Sequence, residues 1–171
     1  MPKTFKDPSR IKLPRTKSEE AEFGREKKGV SICRQCDAYH YKKAWRHDKV
    51  GFLGKKENRL LEFSRILCPA CQMIKDKLYE GKITIKGSPK ELREELANLV
   101  ENFCQRAWQK DPLDRLISLK KDKDDLVITT TENQMAQRLA KKLKDSFNKV
   151  TLKIDHHEEP SDVTTITATF F

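Results

Sequence analysis

Hydrophobic residues recur at helical spacing just after the middle of the chain. Ser88 and Glu91 have the spacing of a capping box, and Pro89 suits the first position of a helix. The apolar stripe that follows stops at the proline after Asp111, because the residue before a proline avoids the helical region. This pattern predicts a helix over residues 89–110. Its apolar stripe consists of Leu92, Leu96, Leu99, Phe103 and Ala107.

A second helix and four strands are predicted in the rest of this half. Thr131 and Gln134 have capping-box spacing, and apolar residues continue at helical spacing from Met135 to Phe147. Four other segments alternate between apolar and polar residues, which is typical of half-buried strands. The order α-β-β-α-β-β predicts an α+β domain with a mostly antiparallel sheet and both helices on one face. The predicted strands cover residues 113–120, 125–130, 150–154 and 163–170.

Two further segments precede this domain. Residues 1–29 are rich in charge and proline, so we expect a basic arm that is disordered or becomes ordered on a partner. Residues 30–87 contain four cysteines and end in a strand-like alternation. We interpret Gly81 as the glycine that ends a short helix before this strand. The sequence therefore predicts a cysteine-containing module at 30–87 and an α+β domain at 88–171.

The composition limits the size of the cores that the chain can build. Apolar residues and charged residues each make up 36% of the 171 residues, so small cores supplemented by a metal are expected. No apolar run approaches the ~20 residues that a membrane helix needs, and the basic N-terminus lacks the apolar core of a signal peptide. We therefore expect a cytoplasmic protein without membrane contact. In that reducing compartment, paired cysteines indicate metal ligands rather than disulfides.

Four cysteines form two C-x-x-C pairs, Cys33 with Cys36 and Cys68 with Cys71. This spacing aims two sulfur atoms at one ion, and two such pairs complete a tetrahedron. Soft thiolates select zinc or iron over hard cations. The 31 residues between the pairs are acceptable, since the entropy of loop closure grows slowly with length. We predict that all four cysteines hold one Zn²⁺ in a zinc-ribbon-like module.

Three alternatives remain open for these cysteines. An iron–sulfur cluster also uses four cysteines. Two independent redox dithiols would need a β-α-β context, which the sequence does not indicate. His40 or His47 could replace a cysteine, although exposed residues beside aromatic packing are the simpler interpretation. A catalytic zinc keeps one position open for water, so four thiolates predict a structural metal.

Positive charge is concentrated around the first cysteine pair. The formal net charge is +10, and residues 1–50 carry 14 Lys or Arg against 7 Asp or Glu. Such a surface attracts nucleic acids, because its cations neutralise phosphates and release counterions. Aromatic residues interleave with the cations, and their faces could either stack on unpaired bases or cover the metal site. The candidate nucleic-acid-binding residues are Tyr41, Lys42, Lys43, Trp45, Arg46 and Lys49.

Four short segments carry a resemblance to a known family. They are CPACQ at 68–72, GKITIKG at 81–87, DPLDRL at 111–116 and LVITTT at 126–131. Together they resemble small prokaryotic zinc-ribbon proteins related to the nonsense-mediated-decay adaptor, which binds the large ribosomal subunit and in eukaryotes supports its nuclear export. The resemblance covers residues 30–171. The adaptor has more cysteines and larger following domains, so the resemblance implies ribosome binding and does not imply export.

These observations favour a non-catalytic zinc protein that binds RNA. The expected partner is rRNA on the ribosome, with a ribosomal protein as a further contact, in assembly, stability or dormancy. The alternative is a zinc-stabilised protein–protein interaction module or regulator without direct RNA contact. We expect neither an enzyme nor a small-molecule substrate, because no paired carboxylates, Ser/His/Asp set or phosphate-binding glycine loop stands out.

Overall fold

The computed structural model describes residues 29–122, 125–157 and 163–171. Within these residues the chain has an α+β architecture with four α-helices and two mixed sheets. The basic arm predicted at residues 1–29 lies outside the described residues, apart from Gly29. None of the helices in the described ranges is long and apolar enough to cross a membrane.

The first sheet is a small one near the start of the described chain. Its elements and the two helices beside it are β1 (Val30–Cys33), β2 (Tyr39–Tyr41), β3 (Ala44–Arg46), α1 (Lys49–Gly54), β4 (Phe63–Ile66) and α2 (Pro69–Asp76). The strand order is β3-β2-β1-β4, with antiparallel β1, β2 and β3 and with β4 parallel to β1. Four buried apolar side chains form the core of this sheet. They are Val30, Ile32, Tyr39 and Phe52.

The second sheet has five strands and contains most of the apolar core. Its elements are β5 (Gly81–Lys86), α3 (Arg93–Lys110), β6 (Leu116–Asp122), β7 (Asp125–Thr130), α4 (Asn133–Ser146), β8 (Val150–His157) and β9 (Val163–Phe170). The strand order is β6-β7-β5-β9-β8. The β5–β9 pair is parallel, whereas the other neighbouring strands are antiparallel. After Gly87 the elements follow the predicted order α-β-β-α-β-β.

Two predictions about this sheet are wrong. The sheet is mixed rather than mostly antiparallel, because α4 carries the chain across it to the edge strand β8, and the β8–β9 hairpin then places β9 parallel to β5. The strand near residues 82–86 does not belong with the cysteines. It is β5, which pairs with β7 on one side and β9 on the other. The boundary between the first module and the second domain therefore falls before Gly81.

Helices α3 and α4 share one core with one face of the second sheet. Alternate residues along β5 and β9 are buried in this core, including Ile83, Ile85 and Ile166. The apolar stripes of the two helices meet them, as the helical periodicity predicts. The helical residues that are buried in this core are Leu96, Val100, Cys104, Ala107, Met135, Ala136, Leu139, Ala140 and Leu143.

Gly81 serves close packing rather than helix termination. Helix α2 ends at Asp76, and the left-handed residue after it is Lys77, with φ of 57°. A Cβ atom at Gly81 would lie 2.3 Å from Thr130 Oγ1 and 2.5 Å from Ala136 Cβ. Glycine therefore lets the first turn of α4 approach the start of β5.

Neither predicted capping box forms. The short 3-10 helix Lys90–Leu92 precedes α3, and no side chain caps either helix. Ser88 is buried, and its hydroxyl has no hydrogen-bond partner among the described residues. Helix α4 likewise begins without a side-chain cap. The S-x-x-E and T-x-x-Q spacings are therefore not used as caps here.

Thr131 instead links the start of α4 to the segment before β6. Its buried hydroxyl donates to the carbonyl of Leu113 at 2.5 Å and accepts from the backbone N–H of Arg115 at 2.8 Å. The backbone N–H of Thr131 donates to the carbonyl of Arg115. The side chain thus satisfies two backbone groups that are distant in sequence.

Replacing Thr131 by valine tests this link against the capping-box interpretation. Thr131→Val keeps the shape and leaves a buried N–H and carbonyl without this partner, so we expect unfolding to become easier by about 1–3 kcal/mol in urea titrations. Gln134 is exposed, and Gln134→Ala is expected to change stability by less than about 0.5 kcal/mol. A larger loss of stability in the Gln134 variant than in the Thr131 variant would support the capping-box interpretation instead.

Candidate metal centre

The first cysteine pair lies in the turn that follows β1. Cys33 is the last residue of β1, and its N–H donates to the carbonyl of Ala38 at 2.7 Å, which closes the turn. Asp37 adopts φ of 61° within the turn, and its N–H donates to the carbonyl of Cys33. This conformation directs Cys33 and Cys36 toward the same point.

The second pair opens helix α2. Cys68 is the N-cap residue, Pro69 occupies the first turn, and the backbone N–H of Cys71 donates to Cys68 Sγ at 3.4 Å. Residues three apart lie on one face at the start of a helix. The C-x-x-C spacing therefore brings both sulfurs to the same side here, without the kind of turn that follows β1. A thiolate at a helix N-terminus is also stabilised by the helix dipole and by free N–H groups.

The parallel pairing of β1 with β4 brings the two pairs together. Cys33 lies opposite Ile66 in the register, and Cys68 follows two residues later. The N–H of Cys68 donates to Cys33 Sγ at 3.3 Å, so the two pairs share a hydrogen bond. This strand was not predicted from the sequence, because the segment FSRI is exposed throughout and lacks an alternating pattern.

The four sulfur atoms have the spacing of a single metal ion's ligands. All four lie within 4.8 Å of one another, and Cys36 Sγ is 3.7 Å from Cys68 Sγ. Sulfurs placed tetrahedrally at about 2.3 Å from one ion would be about 3.8 Å apart. Cys33, Cys68 and Cys71 are buried, and Cys36 is half-buried. The four cysteines can therefore hold one metal ion, and neither His40 nor His47 belongs to the cluster.

The pKa values of the cysteine thiols show that burial disfavours the thiolate form of Cys68 and Cys71. Burial raises the pKa of Cys68 to about 11 and raises that of Cys71 as well. At Cys33 burial acts in the same direction, but N–H donors from Cys68, Cys36 and Gln35 outweigh it and lower the pKa to about 6. Four neighbouring thiolates repel one another in a dry site, so a divalent cation is the natural counter-charge.

Side chains from both units surround the cluster. Trp45 and Leu67 pack against it from the first module, and Leu113 packs against it from the second domain. His47 Nε2 lies 2.5 Å from the carbonyl oxygen of Trp108, and the two rings meet edge to face with centroids 5.2 Å apart. His47 is therefore a link between the units rather than a metal ligand.

The predicted nucleic-acid-binding residues divide into two groups. Lys42, Lys43 and Arg46 are exposed on the β2–β3 hairpin. Lys49 is engaged within the protein, because it forms an ion pair with Asp37 at 2.5 Å and lowers the pKa of that carboxyl. The two aromatic members, Tyr41 and Trp45, are half-buried and pack inward.

The hairpin tip has an unusual backbone. Tyr41 pairs with Ala44, so the turn consists of Lys42 and Lys43, with φ of 50° and 64°. Two successive positive φ values define the type I′ turn, for which Asn-Gly is the preferred sequence. Each lysine in this conformation costs of the order of 1 kcal/mol relative to a compatible residue.

Charge is distributed unequally between the two units. Residues 29–80 carry 11 Lys or Arg against 6 Asp or Glu, whereas residues 81–171 carry 16 against 15. The module with the cysteines is therefore strongly basic, and the second domain is almost neutral.

A group of carboxylates around Glu132 was missed from the sequence. Burial raises the pKa of Glu132 to about 7, and the charges of Glu80, Asp114 and Asp111 add to this effect. Arg138 forms an ion pair with Asp114 at 2.5 Å, and its positive charge acts to lower the pKa of Glu132. Glu132 lies at the N-terminus of α4 but makes no side-chain cap hydrogen bond, so the helix does little to stabilise the charged carboxylate. Only the fold brings these residues together, which is why no local pattern indicates them.

Comparison of the chain with models of protein families, with curated proteins and with solved structures finds no match.

Removing one sulfur tests the metal centre. We expect Cys71→Ala to lower the bound metal well below one ion per chain after dialysis, because three thiolates with an open position hold the ion less tightly. Cys104→Ala is the matched control, since Cys104 is also buried but lies in the core of the second domain. Metal content and unfolding followed by tryptophan fluorescence provide the two measurements. Full metal content in the Cys71 variant would contradict the site.

Glu132 generates a prediction about pH. The pKa of Glu132 in the folded state is about 7, above its ordinary value of 4.5, so protonation of this carboxyl favours folding. This contribution to the free energy of unfolding is complete below about pH 4.5 and is lost as the pH rises through 7. Glu132→Gln should therefore be more stable than the wild type at pH 8, with a smaller difference at pH 5. Urea midpoints at the two pH values measure this, with the exposed Glu94→Gln as control. A difference that does not change with pH would contradict the assignment.

Proposed function

We propose that this protein is a non-catalytic RNA-binding protein whose basic module is built around a structural Zn²⁺ ion, and that it acts on the ribosome. The observation that carries the proposal is the joining of two features in one small module. Four cysteine sulfurs converge on one point, and exposed cations project from the neighbouring hairpin.

Zinc is the metal that best suits this donor set. Four soft thiolates in a tetrahedron favour zinc or iron over magnesium or calcium. A multi-iron cluster is larger than one ion and would hold its cysteines further apart than sulfurs that all lie within 4.8 Å. Cys33, Cys36, Cys68 and Cys71 would hold the ion, which would supply a cross-link and a counter-charge rather than a reactive centre.

The closed ligand set supports a non-catalytic role. A catalytic zinc keeps a position for water or substrate, and the four thiolates leave none. Three of the four sulfur-bearing residues are buried beneath Trp45, Leu67 and Leu113. A small molecule would therefore not reach the ion without displacing a ligand or the packing around it.

RNA is the ligand class that the charge supports. The cysteine-containing module carries the larger excess of cations, and Lys42, Lys43 and Arg46 are exposed together on one hairpin. Cations placed in this way bind phosphates and release counterions. Ribosomal RNA enters the proposal through the resemblance of segments such as 68–72 and 126–131 to ribosome-associated zinc proteins. A ribosomal protein is a further partner that the second domain could contact.

One observation favours a second candidate, a protein–protein interaction module. Strand β4 is an edge strand of the first sheet, and Phe63 and Ile66 on it are 48% and 42% exposed. Leu60, just before it, is 95% exposed. Exposed strand edges with apolar side chains can pair with a strand of another protein. Such binding would not depend on phosphate and would resist salt.

Salt dependence separates these two candidates. If three cations each contact a phosphate, the affinity of the zinc-loaded protein for rRNA should fall about 40-fold between 50 and 200 mM salt. Filter binding measures the affinity, and comigration with ribosomal subunits in low-salt gradients tests the cellular partner. Absence of RNA binding at 50 mM salt, together with a salt-resistant protein complex, would favour the interaction module instead.

A further inference from the structure

The hairpin between β2 and β3 holds two lysines where the backbone would prefer other residues. Lys42 and Lys43 form its two-residue turn, and both have positive φ. Asparagine and glycine tolerate this conformation far better than lysine does. Backbone strain of this kind persists where the side chains serve a purpose that outweighs the local cost. Both side chains are exposed, so the turn places two cations at the surface of the module.

The aromatic rings beside this tip are used inside the protein. Tyr39 stacks on Phe52 with centroids 4.4 Å apart, and Tyr41 meets the same ring at 5.0 Å. Trp45 packs against the cysteine cluster and lies 5.3 Å from the His40 ring. The Lys42 ammonium lies over the Tyr41 ring, 5.3 Å from its centroid. Among the described residues, the rings beside the tip are therefore buried or half-buried in these contacts, whereas Lys42 and Lys43 are exposed.

The exposed rings of the first module lie elsewhere. Phe63 is on β4, the strand at the opposite edge of the sheet from β3. Three strand spacings separate these edges, which is about 14 Å. Tyr79 follows α2 in the segment that leads to β5. Neither ring belongs to the hairpin that carries the cations.

We infer that the Lys42–Lys43 tip binds the phosphate backbone of double-stranded RNA and that it does not read unpaired bases. This inference rests on the proposed function and names the class of RNA for it. Base readout in RNA uses splayed bases stacked on aromatic or guanidinium planes, whereas a duplex offers phosphates and shape. Arg46, which carries the exposed guanidinium of this hairpin, pairs with Tyr39 at the end of the strands away from the turn. A two-residue tip with two adjacent exposed cations matches the second kind of target. Tyr41, which directly precedes this tip, packs on Phe52.

The test uses a double substitution that relieves the strain and removes the charge. The variant Lys42→Asn with Lys43→Gly places the preferred Asn-Gly sequence in the turn. We expect its urea midpoint to rise and its zinc content to stay at one ion per chain. Its affinity for an RNA duplex of about 16 base pairs should fall roughly tenfold or more, and the slope of log affinity against log salt should fall by about two.

The matched control removes two charges elsewhere. Lys141→Gln with Lys142→Gln changes exposed residues of α4 and keeps good helix formers there. We expect it to bind the duplex almost as the wild type does. An equal loss in this control would show that net charge alone governs binding and would overturn the inference. Unchanged duplex affinity in the hairpin variant would also overturn it.

An unstructured RNA strand of the same length completes the experiment. The wild-type protein should bind it more weakly than the duplex, and tighter binding to the strand would overturn the inference while leaving RNA binding intact. Failure of the zinc-loaded wild type to bind either RNA at 50 mM salt would overturn the proposed function itself. The two failures are therefore distinguishable.

Discussion

The convergence of four thiols at the ends of two parallel strands is the constraint on which the first module depends. The apolar core of this module contains four buried side chains, Val30, Ile32, Tyr39 and Phe52, and such a core stabilises little. A bound metal contributes folding free energy directly, since the unfolded chain has no preformed site. The β1–β4 pairing and a bound metal would therefore support each other. The strands place Cys33 near Cys68, and the ion would fix the strands.

Packing on both sides of the turn allows the strained hairpin to persist. Tyr41, just before the turn, packs on Phe52, and Trp45, just after it, packs on the cysteine cluster. This packing can offset the cost of two left-handed lysines, which is about 2 kcal/mol in all. The same contacts bury part of the aromatic surface of the hairpin. Rings that are buried for stability are not offered to bases, which links the stability of the module to the kind of RNA that we propose it binds.

Local patterns in the sequence predicted what depends on local periodicity or on spacing. The cysteine pairs and the stripes of the two long helices are of this kind, because neighbouring residues alone determine them. The pairing of β9 with β5 and the role of Thr131 depend on segments far apart in the chain, and the local sequence is compatible with more than one structure. Thr131 and Gln134 have the spacing of a capping box, yet the Thr131 hydroxyl donates to the carbonyl of Leu113 and accepts from the N–H of Arg115. Lys49 shows the same limit, since its partner Asp37 is 12 positions away.

The charge of the metal centre bears on how the cations of the module should be interpreted. One Zn²⁺ with four thiolates carries a net charge of about −2, so some of the surrounding Lys and Arg could serve only to balance it. The module has five more cations than carboxylates. Its net charge therefore stays positive after the negative charge of a zinc–thiolate centre is included. Lys42 and Lys43 also occupy a turn whose backbone disfavours lysine, which agrees with the proposed attraction to an external polyanion.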